Sequence, residues 1–415
     1  MGHRYRAAFG LVFMLAGCGD DDGGQAGTDS GTQTSGGTAV ASTTTDPVTD
    51  SGQTGETDSG LDETGSDTGA GNACGANLLD NPSDTAAAGP WPVGARTVDI
   101  DGLRVEAWYP GEVGSDAGAS PVIYDPRDHL PESERGKISD EQNPWQDCDC
   151  YPDLPVDEAH GPYPVIVFIH GTAGFRTQSL PLMTHWASRG FVVLAADHPG
   201  LRLAAMLNML CAGPTETRDL EGDVQRLLAA VRGEAPGLEF AEGIIDAERI
   251  GMSGHSAGGF AVADWGSDAQ VLAPLAGAGT TPGAALQSTL VMGGNADSVV
   301  SYEDTRGGYE SSPSPKRFVG IENAGHLIFS QLCSLQNSAG QNFVEIGNEV
   351  GVCGTNLAGF LFQCGPELIA DPDGWEIVHY ATSAAFEETL HCSDVGANLD
   401  DIQAAYPAVA EYLSD

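Results

Sequence analysis

Gly254-His255-Ser256-Ala257-Gly258 sets one hydroxyl on a turn flanked by glycines. Residues 249–253 before it read as a strand, and residues 259–263 after it read as a helix. Such a junction lifts the serine off the end of its strand on a turn too tight for neighbouring β-carbons. The next backbone N–H then faces whatever the hydroxyl attacks. A serine hydroxyl is a weak nucleophile. It needs a base to take its proton, an acid to orient that base, and donors where negative charge develops. Asp297, in Gly293-Gly294-Asn295-Ala296-Asp297 after an apolar run, is the candidate acid, with Asp304 in reserve. His326, in Glu322-Asn323-Ala324-Gly325-His326, again follows an apolar run and is the candidate base. In His170-Gly171-Thr172-Ala173-Gly174 the glycine turn lets a backbone amide face Ser256. The amides of Thr172 and Ala257 are therefore the candidate oxyanion donors, with Ala173 as the alternative to Thr172. Of the other histidines, His170 is expected to brace this loop and His198 to shape the pocket rim, while His255 sits inside the elbow.

These residues need a sheet to bring them to one edge. Residues 103–109 alternate like an early antiparallel strand, and residues 165–169 and 191–196 are continuous apolar runs, as in strands covered on both faces. Residues 289–292 and 318–321 supply later strands, and helices are expected over 178–188 and 215–232. Strands alternating with helices predict an α/β fold with a mostly parallel sheet and helices on both faces. Acids early in the second helix (Glu216, Asp219, Glu221) suit its dipole. Two segments, about 111–163 and 327–372, read as insertions containing cysteines. The second begins directly after His326, and could form either a disulfide-held wall over the site or a surface excursion.

The ends of the chain carry a different message. Residues 1–17 have a basic start and an apolar stretch too short to span a bilayer, followed by Cys18. Residues 19–72 hold 11 acids, no Lys or Arg, and almost nothing large and apolar. Such a composition predicts a flexible, self-repelling tether. With Cys18 set aside, eight cysteines remain. An even number outside the cytoplasm predicts disulfides, up to four, with the pairing open. Cys148-Asp149-Cys150 has no second tight pair to complete a metal site, so it reads as part of that disulfide set. The net charge is −42, and −33 of it falls beyond residue 72. A field of that sign repels nucleic acid and anionic membrane surfaces.

Three stretches carry a family resemblance: His170-Gly171-Thr172-Ala173-Gly174-Phe175-Arg176-Thr177; Ala187-Ser188-Arg189-Gly190-Phe191-Val192-Val193; and Asp246-Ala247-Glu248-Arg249-Ile250-Gly251 leading into Gly254-His255-Ser256-Ala257-Gly258-Gly259. Together they resemble the secreted platelet-activating factor acetylhydrolases. They are similar too to bacterial cutinases and polyester hydrolases, and to dienelactone-hydrolase-like proteins. The Ser, Asp, His chain order is that of α/β-hydrolases. The resemblance covers roughly residues 95–326 and resumes in a closing helix at 375–390. It implies an α/β-hydrolase fold and a serine carboxylesterase with Ser256, Asp297 and His326 as its triad and no cofactor. The chain departs from these relatives at three points, the first being the 327–372 insertion, which has no obvious counterpart in them. Dienelactone hydrolases proper use cysteine as nucleophile, and cutinases usually carry an aromatic where Thr172 stands. Leu15-Ala16-Gly17-Cys18 resembles a bacterial lipobox, which implies cleavage before Cys18, lipidation of Cys18 and an exported, membrane-tethered protein. The resulting expectation is a lipid-anchored esterase acting on a small-molecule or lipid-like ester, touching the membrane through its anchor only. Its rivals are a lipase or polyester hydrolase working on insoluble substrates, and a non-catalytic binding lipoprotein on the same fold.

Overall fold

The computed structural model describes Cys74 and residues 77–415. The chain separates into two units, Met1–Gly69 and Ala70–Asp415. The expected export signal, Cys18 and the acidic tether lie outside the described residues.

The strands are β1 (Val93–Ile100), β2 (Leu103–Pro110), β3 (Ile123–Tyr124), β4 (Gln146–Asp147), β5 (Tyr151–Pro152) and β6 (Tyr163–Ile169), then β7 (Val192–Ala196), β8 (Ile245–His255), β9 (Val271–Leu275), β10 (Ser288–Gly294), β11 (Lys316–Ile321) and β12 (Val409–Ser414). Ten of them form one sheet in the order β12-β11-β10-β9-β8-β6-β7-β2-β1-β5, while β3 and β4 pair separately. The run from β7 to β11 is parallel throughout. Antiparallel pairs β2–β7 and β11–β12 flank it. This is the mixed α/β architecture expected, and it is consistent with the α/β-hydrolase fold.

The apolar runs are continuous because the parallel strands are covered on both faces. In β6, Ile166 and Phe168 pack with Trp186 and Phe386, from the helices Leu180–Ser188 and Asp371–Leu390. Val165, Val167 and Ile169 pack on the opposite face with Val224, Leu227 and Leu228 of the helix Leu220–Val231. Each such side chain, taken fully out of water, contributes about 1.5–3 kcal/mol. The strand ends are therefore stiff platforms.

Several boundaries differ from expectation for identifiable reasons. The helix expected over 215–232 starts at Leu220, where the Asp219 carboxylate accepts from the Gly222 amide and caps it. Glu216 lies before that cap and instead pairs with Arg202 at 2.6 Å. The segment 111–163 contributes β5, which joins the main sheet beside β1. The segment 327–372 contains the helix Phe343–Val350, which opens on a reciprocal Asn342/Glu345 capping box.

All eight cysteines beyond Cys18 pair, as Cys74–Cys392, Cys148–Cys150, Cys211–Cys353 and Cys333–Cys364. The Cys211–Cys353 bond ties the 327–372 segment to the helix Leu203–Cys211. Among the described residues, no helix is long and apolar enough to cross a membrane.

Candidate active site

Ser256 stands between the end of β8 and the helix Ala257–Ala261. Its backbone is held at φ 58°, ψ −119°, a conformation that L-residues rarely adopt. The neighbouring glycines are what permit it. A β-carbon at Gly254 would lie 2.4 Å from the Gly258 carbonyl oxygen, and one at Gly258 would lie 2.0 Å from that of Ile169. The Ser256 amide donates to Leu275 O at 2.9 Å, which locks the turn to β9.

Asp297 and His326 come from the loops after β10 and β11. The Asp297 Oδ2 and His326 Nδ1 atoms are 2.8 Å apart, and both side chains are almost wholly buried. Asp297 Oδ1 accepts from the amides of Val299 (2.7 Å) and Val300 (2.9 Å), which fixes the carboxylate's orientation. His326 and Ser256 line one cavity, together with Gly171, Thr172 and His255. The reserve acid, Asp304, lies in the first turn of the helix Tyr302–Ser311, where its amide donates to the capping Ser301 hydroxyl at 3.1 Å and its carboxylate accepts from that hydroxyl at 2.6 Å.

The loop after β6 closes against Ser256. A β-carbon on Gly171 would approach the Ser256 Cβ to 3.1 Å. Ala173, the alternative donor, has its amide committed to Leu201 O at 2.9 Å. Among the described residues the Thr172 and Ala257 amides meet no such acceptor, so they stay the candidate pair. The far end of the loop is anchored by Arg176. Its buried guanidinium meets Asp197 Oδ2 at 2.6 Å and Glu106 Oε2 at 3.3 Å, and its amide donates to Asp197 Oδ1 at 2.8 Å.

Three further buried histidines are hydrogen-bonded around these loops. His170 Nδ1–H donates to Gly171 O at 2.8 Å, and Nε2 accepts from the His198 amide at 3.2 Å. Burial, reinforced by His198, pushes the His170 pKa down to about 3, so its ring is neutral as this bonding requires. His198 does not shape the pocket rim. It is fully buried and paired at 3.0 Å with Asp223 of the helix Leu220–Val231. His255 Nε2–H donates to the His326 carbonyl at 2.8 Å, and Nδ1 accepts from Gln178 Nε2 at 3.2 Å. Burial first, then the proximity of His326, holds His255 well below the usual histidine range.

Most of the remaining cavity wall is apolar, with Leu203, Leu207, Leu332, Phe343 and Phe362 among its side chains and Gln178 and Thr355 as polar members. Leu332, Phe343, Thr355 and Phe362 belong to the 327–372 segment, which therefore forms a wall of the site. Sequence reasoning did not single out Leu203, Leu207, Leu332 or Phe343, nor the His255 bridge, nor Gln363. Gln363 stands beside Cys364 in an apolar stretch, and no local pattern marked it. Among the described residues no group of three or more His, Cys, Asp or Glu side chains is arranged to hold a metal ion.

No curated protein matches the chain. Residues 146–217 match the family described as platelet-activating factor acetylhydrolase, isoform II. The match takes in β6, the loop 170–174 and β7, and it ends ahead of Ser256. The chain is thus similar to platelet-activating factor acetylhydrolases, and fold and likeness together support a hydrolase of lipid-like or small-molecule esters.

Proposed function

We propose that the protein is a serine carboxylic-ester hydrolase with a small acyl site. The observation that carries this reading is the buried Asp297–His326 contact at 2.8 Å, opening onto a cavity shared with a strained Ser256. Ser256 Oγ attacks the acyl carbon as His326 Nε2 takes its proton. Asp297 holds the imidazole with Nδ1–H toward itself and stabilises the imidazolium. The oxyanion takes hydrogen bonds from the Thr172 and Ala257 amides. His326 then gives the proton to the departing alkoxide, which leaves as the alcohol. Water, deprotonated by the same histidine, releases the acid from the acyl-enzyme.

The cavity volume of about 40 Å³ limits the acyl group. It holds roughly three water-sized groups, which favours an acetyl or propionyl chain. Leu357 and Phe360 are exposed beside the cavity-lining Leu361 and Phe362, and favour a second reading in which the ester is presented by an insoluble surface. On either reading the chain is exported and lipidated at Cys18. The support is the lipobox-like residues 15–18 and the complete pairing of the other cysteines, which suits an oxidising compartment.

The test is a series of p-nitrophenyl esters with the wild type and Ser256→Ala. The variant should lose about 10,000-fold or more in kcat with an unchanged near-UV CD spectrum. The wild type should fall more than about tenfold in kcat/KM from acetate to octanoate, since one misfit methylene alone is worth about 10-fold or more. Full activity in Ser256→Ala would refute the mechanism. Preference for emulsified long-chain esters would favour the second reading.

A further inference from the structure

Gln363 lies within the 327–372 segment, yet its side chain is spent on the two loops that carry Asp297 and His326. Its Oε1 accepts from the His326 amide at 3.2 Å and from the Ser298 amide at 3.0 Å, and its Nε2 donates to Ala296 O at 2.6 Å. One side chain thus bridges the residues on either side of the acid to the backbone of the candidate base. The fit is close on the other side too. A β-carbon at Gly325 would come within 3.2 Å of the Gln363 amide carbon, so the glycine before His326 leaves room for this contact. The residue after Gln363 is Cys364, bonded to Cys333.

We infer that Gln363 is a positioning residue for the reacting set, and that the Cys333–Cys364 disulfide delivers it, so that the integrity of this bond governs turnover. The inference rests on the reading of Ser256, Asp297 and His326 given above. His326 is then gripped at both backbone ends: its carbonyl by His255 from the elbow, and its amide by Gln363 from the inserted segment. The inserted segment reaches the histidine loop again where the Ile369 amide donates to Asn323 O at 2.9 Å. The acid and histidine loops are also joined without Gln363, by Ala296 N to Ala324 O (3.1 Å) and Asn323 N to Asn295 Oδ1 (2.7 Å). Loss of Gln363 therefore loosens the imidazole and leaves the loops in place. Small misplacements of a reacting group cost up to about 100-fold in rate. With these other links intact, the expected loss is about tenfold.

The experiment measures p-nitrophenyl acetate hydrolysis by the full chain carrying Gln363→Met, Cys333→Ser with Cys364→Ser, or all three changes. Methionine keeps the volume and removes the hydrogen bonds. Gln363→Met should lower kcat about tenfold, with KM within about twofold and a cooperative melting transition lowered by only a few degrees. The serine pair should lower kcat by a similar factor. The triple variant should be no slower than Gln363→Met by more than about twofold, because both changes remove one linkage. Gln363→Asn, which keeps the amide but retracts it, should behave like methionine and serves if that variant does not fold. Wild-type kcat in Gln363→Met or Gln363→Asn, a change confined to KM and melting temperature, or a triple variant whose losses multiply would overturn the inference while leaving the ester-hydrolase reading intact. A wild type with no Ser256-dependent turnover would overturn both.

Discussion

Ser256, Asp297 and His326 sit just past the ends of β8, β10 and β11, strands whose C-terminal halves are buried and paired with neighbouring strands. Leu332, Phe343 and Phe362, which line the same cavity, sit on a segment whose longest helix is Phe343–Val350. That segment is held by Cys333–Cys364, by Cys211–Cys353 and by a small apolar cluster of its own, in which Phe343 and Ile346 meet Leu203 and Leu207. The first region is placed by the sheet and the second by cross-links. Apart from Gln363 and the Cys333–Cys364 bond beside it, the wall should be changeable without disturbing the reacting groups, and its apolar side chains should control which acyl group enters.

The largest effect separating the regions is at the acid. Asp297→Asn should keep its fold and lose about 10,000-fold in kcat, as asparagine stabilises the wrong imidazole tautomer and no imidazolium. Asp304→Asn should stay within about twofold, and equal losses in the two would show that the acid is misassigned. A smaller and different effect is expected in the wall. Replacing Cys211 and Cys353 together by serine should cost about 2–4 kcal/mol of stability, read by denaturant unfolding. It should also raise relative activity on butyrate and hexanoate esters, with acetate kcat within about threefold. If that variant lost acetate turnover as heavily as Asp297→Asn, the division between sheet-held chemistry and cross-linked wall would be wrong.

The contrast also explains what could be read from the sequence. The runs at 165–169 and 191–196 announce strands because burial on both faces demands apolar residues at successive positions, and β6 and β7 fall on them. The elbow glycines are legible because a β-carbon at Gly254 or Gly258 would collide with backbone. The strand β12 and the sheet contact of β5 were not legible. The first is partly exposed at the sheet's edge, and the second spans only two residues. Nothing local could reveal that the Ala173 amide is taken by Leu201, or that Gln363 reaches residues 67 and 37 positions away. Those links join distant segments through single side chains or amides, with no periodicity to mark them. Pairing among eight cysteines has the same character, since spacing alone leaves 105 connectivities.

The central claim is that the hydroxyl at position 256 is the activated nucleophile, and phosphorylation by an organophosphate ester tests it most directly. Diethyl p-nitrophenyl phosphate should add one diethylphosphoryl group per chain, mapped by mass spectrometry to the peptide bearing Ser256, and Asp297→Asn should label far more slowly. An unmodified chain after prolonged exposure, or equal labelling of Ser256→Ala, would contradict the account.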